Sequence, residues 1–205
     1  VVDAPAISWS PAPPVRVLES RGPVAVAPVA EGVTVFDFGQ NASGWVRLTD
    51  LGTPGTRTVI EYGEYVDASG DLSTAHLDSE RPEGRKAFVQ RDEVVAGAAG
   101  DVFEPRHTVH GFQYARITRA GAPLDAASVV MQIVHSDLTR TGSFQSSDDD
   151  LDRLHEIAEW SFRGNAVDVP TDCPTRERLA WTGDYQVFAP PATRLDDVLR
   201  FTRKG

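Results

Sequence analysis

The chain has 205 residues, 40% of them hydrophobic and 24% charged, an ordinary make-up for a globular protein of about one or two domains. Twenty Lys and Arg against 30 Asp and Glu leave a net charge of −10, which argues against a nucleic-acid partner and against an anionic membrane surface. The sequence holds one cysteine, Cys173, and no apolar run of the roughly 18 residues a spanning helix needs, so a disulfide framework, a Cys-rich zinc site and a transmembrane helix are all excluded.

Residues 1–32 are dense in proline, with Pro5, Pro11, Pro13, Pro14, Pro23 and Pro28. They read as an extended linker or edge segment with at most a short strand at Val15–Leu18. From residue 33 to 145 short β-branched and aromatic runs alternate with turns. The expected strands are Val33–Phe38, broken by Gly39-Gln40-Asn41, then Trp45–Leu48, Thr58–Tyr62, Ala87–Val89, Phe112–Ile117 and Val129–Val134. That pattern predicts an antiparallel β-sandwich, with Phe38 and Trp45 in its core. Asp67-Ala68-Ser69-Gly70-Asp71 reads as a hairpin turn rather than a calcium loop, and His107, His110 and His135 as structural histidines rather than metal ligands.

At Ser147 the period changes. Ser147-Asp148-Asp149-Asp150 reads as a helix-capping acid cluster, and Leu151, Leu154, Ala158 and Phe162 recur at helical spacing up to a stop at Gly164-Asn165. A second helix is expected over Tyr185–Ala189, interrupted by Pro190-Pro191, which removes two donors and either breaks this helix or ends it near Phe188, and a third is expected near Asp196. The 146–205 segment thus reads as the opening of an all-α domain.

Between the first two helices lies the stretch that carries chemistry. Residues 172–184 hold Asp172, Glu177 and Asp184, the arginines Arg176 and Arg178, and Trp181. Sugar sites use this mixture: carboxylates and guanidinium groups bond hydroxyls, an aromatic ring covers the apolar sugar face, and a carboxylic acid protonates the leaving oxygen. If this segment is helical, Glu177, Trp181 and Asp184 share one face. Cys173 reads as a small packed residue.

Four groups of residues resemble the bacterial α-L-rhamnosidases, inverting glycoside hydrolases with a concanavalin-like β-sandwich ahead of an (α/α)6 barrel. They are Asp37-Phe38-Gly39-Gln40-Asn41 with Gly44–Leu48; Glu104-Pro105-Arg106 with His110–Tyr114; Val134–Asp137 with Thr141–Phe144; and Asp168–Pro174 with Arg176-Glu177-Arg178 and Trp181–Asp184. The similarity runs from about residue 14 to 189. It implies removal of terminal α-L-rhamnose from glycosides or polysaccharides by single displacement, without metal or other cofactor. It implies Glu177 as general acid and Asp172, Arg176, Trp181 and Asp184 as substrate-binding residues. The general base of the family lies beyond residue 205, and 146–205 has room for about three helices of such a barrel. The chain is therefore expected to be part of a longer enzyme, inactive alone, with an exposed apolar surface on its helices. A carbohydrate-binding or scaffolding β-module and a non-functional gene remnant are the competing readings. Compartment, oligomeric state and aglycone stay open at this stage.

Overall fold

The structure is a computed structural model, and it describes residues 9–79, 82, 84 and 86–204. Its N-terminal part is one antiparallel sheet of seven strands: β1 (Val15–Arg21), β2 (Ala25–Ala30), β3 (Val33–Leu48), β4 (Arg57–Gly63), β5 (Arg91–Val95), β6 (His110–Arg119) and β7 (Val129–Ser136). The order is β1-β7-β3-β6-β4-β5, with β2 added to the outer part of β3. β3 carries the architecture. Its first half pairs β2 and β6, its second half pairs β6 and β7, and the register slips between Asp37 and Ala42.

The break expected at Gly39-Gln40-Asn41 is therefore an irregularity inside one 16-residue strand. Gly39 has φ +71°, and the Asp37 carboxylate accepts its N–H at 2.7 Å. A bulge of this kind bends a strand and lets the sheet curl. The concave side is filled by Phe36, Phe38, Val46, Leu48, Ile60, Tyr62, Phe112, Ile117, Met131 and Ile133, all essentially inaccessible.

Two sequence expectations are corrected here. Residues 25–30, read as linker, are a strand, and the short edge strand expected at Val15–Leu18 runs on to Arg21 and pairs with β7 along its length. Proline tolerates this because β2 is an outer strand, where Pro28 lacks a donor the ladder does not require, and the register shifts just after it. Ala87–Val89 is not a strand; the strand is β5, which alternates exposed and half-buried residues and pairs β4 from Arg57↔Val95 to Glu61↔Arg91. Its charged Arg91-Asp92-Glu93 start hid it from a hydrophobicity reading.

The helical part begins with α1 (Asp149–Gly164), followed by the two-residue strands β8 (Ala166–Val167) and β9 (Val169–Pro170), α2 (Thr182–Leu195) and α3 (Leu199–Thr202). The cap of α1 lies one residue later than the sequence suggested. The Asp148 carboxylate accepts the Asp150 N–H at 3.0 Å, and Asp152 reaches back to the Ser146 N–H at 2.8 Å. Asn165 closes the other end. α2 does not stop at Phe188. It runs through Pro190-Pro191 because both prolines, and Gln186 and Val187 whose carbonyls lose their helical donors, are exposed. The opposite face is anchored by buried Ala192 and Leu195.

A small second core holds the helices together: Phe162 stacks on Phe188 at 5.4 Å and meets Phe201 edge-on, with Ala166, Ala192, Leu195 and Val198 around them. The rest of the apolar stripe of α1 is uncovered, with Leu151, Leu154 and Ile157 about half exposed, and Val187 of α2 is 80% exposed. Trp160 instead packs on the sheet core, its ring flanked by the guanidinium groups of Arg21 at 4.8 Å and Arg163 at 5.1 Å. The connection from β7 threads past the end of α2: Thr141 and Gly142 donate to the Leu195 carbonyl, and a Cβ on Gly142 would sit 1.6 Å from the Arg194 carbonyl oxygen.

Buried beneath β4–β6 is a polar cluster. Tyr62 Oη donates to Asp92 Oδ2 at 2.7 Å, His110 Nε2 lies 3.1 Å from the same oxygen, and the Tyr62 and His110 rings stack at 4.1 Å. Burial pushes the Asp92 carboxyl up, but the His110 and Tyr62 contacts outweigh it and hold it below its ordinary value. A depressed folded value means that stability from Asp92 is present above about pH 4 and is lost as pH falls through the folded value. Thermal melts between pH 6 and pH 3 will therefore show the wild-type advantage over Asp92→Asn shrinking on acidification; a constant gap would contradict this.

Candidate active site

The site is built on the loop between β9 and α2. The β8–β9 hairpin turns through Asp168 alone, at φ +69°, and Ser136 Oγ of β7 accepts the Asp168 N–H at 3.0 Å. The chain then enters Thr171–Ala180. This segment is not helical, so the shared helix face expected for Glu177, Trp181 and Asp184 does not form as drawn. Arg178 at φ +54° turns the chain instead.

Asp172 closes the loop on itself. Its N–H donates to the Leu179 carbonyl at 3.1 Å, its Oδ1 accepts the Leu179 N–H at 2.9 Å, and its Oδ2 lies 3.5 Å from Cys173 Sγ. Burial is the largest single influence and pushes the Asp172 carboxyl up, but the Leu179 N–H, the Cys173 thiol and the neighbouring backbone N–H groups together outweigh it and hold it below the usual carboxylate range. Cys173, expected to be simply packed, is half-buried and turned toward that carboxylate.

Glu177 is reached from two sides. Arg176 Nη2 lies 3.2 Å from Oε1, and the Trp181 indole Nε1–H donates to Oε2 at 3.2 Å. Trp181 stands immediately before α2, so Asp184 falls in the first turn of that helix. Trp181, Asp172 and Asp184 line one cavity of about 160 Å3, together with Asn165, Tyr185 and Phe188. Of the five residues proposed from sequence, the structure thus brings three to one cavity, with Glu177 bonded to its Trp181 wall and Arg176 bonded to Glu177. Asn165, Tyr185 and Phe188 went unnoticed because they read as a helix stop and an apolar stripe. The cavity is smaller than the ~300–1,000 Å3 typical of complete ligand pockets.

What fixes this loop lies in the sheet. Pro174 and Thr175 press on Gly111 of β6: a Cβ there would meet Thr175 Cγ2 at 2.8 Å and the Pro174 carbonyl carbon at 2.9 Å. Gly111 is itself clamped by the buried Gln90 side chain, which donates to its carbonyl at 2.8 Å and accepts its N–H at 3.0 Å. Beside it, Arg178 Nη1 donates to the Val109 carbonyl at 2.5 Å. Gly111 lies just before the strand expected at Phe112–Ile117, so this contact left no sign in the sequence. Trp45, expected in the core, faces outward, because β3 alternates and buries Val46; its Nε1 donates to Glu104 at 3.0 Å.

Comparison with known proteins places the chain. Residues 27–135 match the bacterial alpha-L-rhamnosidase concanavalin-like domain, and residues 139–205 match the bacterial alpha-L-rhamnosidase 6 hairpin glycosidase domain. An alpha-L-rhamnosidase of Streptomyces avermitilis is 35% identical over 192 residues, 93% of this chain and 18% of that protein. The crystal structure of the Streptomyces avermitilis alpha-L-rhamnosidase complexed with L-rhamnose superposes with a TM-score of 0.87 at 34% identity, over 97% of this chain and 19% of that one. The alpha-L-rhamnosidase from Dictyoglumus thermophilum gives 0.84 at 28% identity, over 94% and 21%. The chain spans about a fifth of the length of the relatives it matches.

Gly111→Ala forces backbone, not a flexible side-chain end, to move, so it is expected to cost about 1–3 kcal/mol. Gly183→Ala, with open space around it in the first turn of α2, should be neutral or stabilising by up to about 1 kcal/mol. Denaturant unfolding of the two variants checks this, and equal stabilities would refute the tight contact.

Proposed function

Since this chain belongs to the bacterial α-L-rhamnosidase family, we propose that it supplies the acid-bearing part of an inverting α-L-rhamnosidase, with Glu177 as the general acid. The observation that carries the reading is the bonding of Glu177 to Trp181, whose ring lines the same cavity as Asp172 and Asp184. The substrate class is a glycoside or polysaccharide ending in α-L-rhamnose. In this reading the β-domain, about residues 33–145 with the two strands before it added, is the platform. Residues 146–205 carry the acid.

The residues divide the work as follows. The sugar sits in the cavity against Trp181, and Asp184 and the free lone pairs of Asp172 accept from its hydroxyls. Glu177 delivers its proton to the glycosidic oxygen as the C–O bond breaks. The indole N–H and Arg176 then face the carboxylate left behind and stabilise it. Water attacks the anomeric carbon from the opposite face, assisted by a carboxylate roughly 6.5–9.5 Å from the acid. That base is assigned to no residue of this chain, in keeping with the small cavity, and the 205 residues alone are expected to be inert.

The test uses the natural-length protein that carries this chain. Glu177→Gln should lower kcat/KM on a natural rhamnoside by about 10²–10⁴-fold, and by less on an aryl rhamnoside, whose leaving group needs little protonation. Equal activity of variant and wild type on both substrates would remove Glu177 from the role.

A further inference from the structure

His110 opens β6 at the point where the sheet meets the loop that carries Glu177. On one side of it the Val109 carbonyl accepts from Arg178 Nη1, and on the other Gly111 lies under Pro174 and Thr175. Successive residues of a strand face opposite sides, so Gly111 turns to the loop and the His110 ring points into the sheet, where it is buried. The ring stacks on Tyr62 of β4, and its Nε2 lies 3.1 Å from Oδ2 of Asp92 on β5. Facing a carboxylate, Nε2 carries the ring proton and donates it. Nδ1 is buried and, among the described residues, has no hydrogen-bond partner. An apolar ring would fill this space without leaving a bare nitrogen, so packing does not account for an imidazole here.

We infer that His110, clamped between Tyr62 and Asp92, is a positioning residue for Glu177, because it fixes the peptides on which the Glu177 loop rests. The inference rests on the rhamnosidase reading. A general acid must lie within hydrogen-bond reach of the leaving oxygen, and small displacements of it cost rate. The sugar cavity is lined from α1, β9, the loop and α2, and none of its lining residues belongs to β6. Loosening the start of β6 therefore moves the acid more than it alters sugar binding, and the loss falls on kcat rather than on KM.

The clamp also links the loop to pH. Asp92 is faced by His110 from β6 and by Tyr62 from β4, and β3 contributes a backbone N–H, from Val46 to Tyr62 Oη at 3.4 Å. Arg91 and Glu93 lie on the other, exposed side of β5, where they pair with each other and Glu93 also pairs with Arg57. Across β6, Arg176 and Glu177 pair with each other, and Arg178 holds the Val109 carbonyl. Burial raises the Asp92 carboxyl, and His110, ahead of Tyr62, outweighs it. Without the His110 donor, Asp92 takes up its proton at a higher pH, and the clamp opens with it.

The experiment measures kcat and KM against pH for a natural rhamnoside and the natural-length protein. His110→Phe keeps a ring on Tyr62 and removes the donor, whereas His110→Gln returns an amide N–H near the place of Nε2. Ile117→Val, in the core on the same strand, controls for lost packing. His110→Phe should lower kcat about tenfold with KM changed less than about threefold, and its activity should fall away on acidification at a higher pH than that of wild type. His110→Gln should recover most of kcat, and Ile117→Val should match wild type. Tyr62→Phe, which removes the other donor to Asp92, should move the acid limb in the same direction by less, and it decides the question if His110→Phe does not fold. A wild-type kcat and acid limb in these ring variants overturns the inference. So does a loss in His110→Gln as deep as in His110→Phe, or the same loss in Ile117→Val. If Glu177→Gln keeps full activity, the acid reading itself falls, and the inference with it.

Discussion

The loop that carries Glu177 keeps its shape because it lies directly on a glycine of the sheet. Loop 172–179 has little structure of its own beyond the two hydrogen bonds that tie Asp172 to Leu179. Its position comes from Pro174 and Thr175 seated on Gly111 and from Arg178 bonded to the Val109 carbonyl. Gly111 can accept that contact only because it has no side chain, and the Gln90 amide holds its peptide in place on both sides. The sheet is therefore part of the candidate site: Glu177 stands where it does because the β-domain holds its loop.

The same dependence explains the division of apolar surface. The sheet fills its own concave side with a large aromatic and aliphatic core. Among the described residues, the helices rest mainly on the cluster around Phe162 and Phe201 and on the anchor of Trp160 between two arginines on the sheet. The stripe of Leu151, Leu154 and Ile157 thus stays open to water, and so does Val187. Exposure of this kind is costly for a free-standing helix pair and ordinary for one that is part of a larger helical layer.

Much of this was legible in the sequence where one signal decided the structure. Alternating residues found β4, β6 and β7, and the aspartate cluster and the period of Leu151 to Phe162 found α1. The acid stretch was legible as chemistry, since so many carboxylates, arginines and an indole in thirteen residues have few uses. Elsewhere two signals competed. Proline density hid β2 and the full length of β1 because an edge position forgives it, and charge hid β5. The double proline suggested an early end to α2, which its exposed side does not require. Contacts between distant segments left the faintest trace: nothing local to Gly111 or Gln90 says that residues 174 and 175 press on that strand.

The central claim, that the sheet holds the loop carrying Glu177, is tested most directly by hydrogen–deuterium exchange in Gln90→Ala. Gln90 touches Gly111 and lies nowhere in the loop, so a change in the loop can only pass through the strand. The account predicts faster exchange at Leu179 and its neighbours in 172–181, with the amides of α1 unchanged. Loop exchange identical to wild type would mean that the loop keeps its shape without the sheet, and would contradict the account.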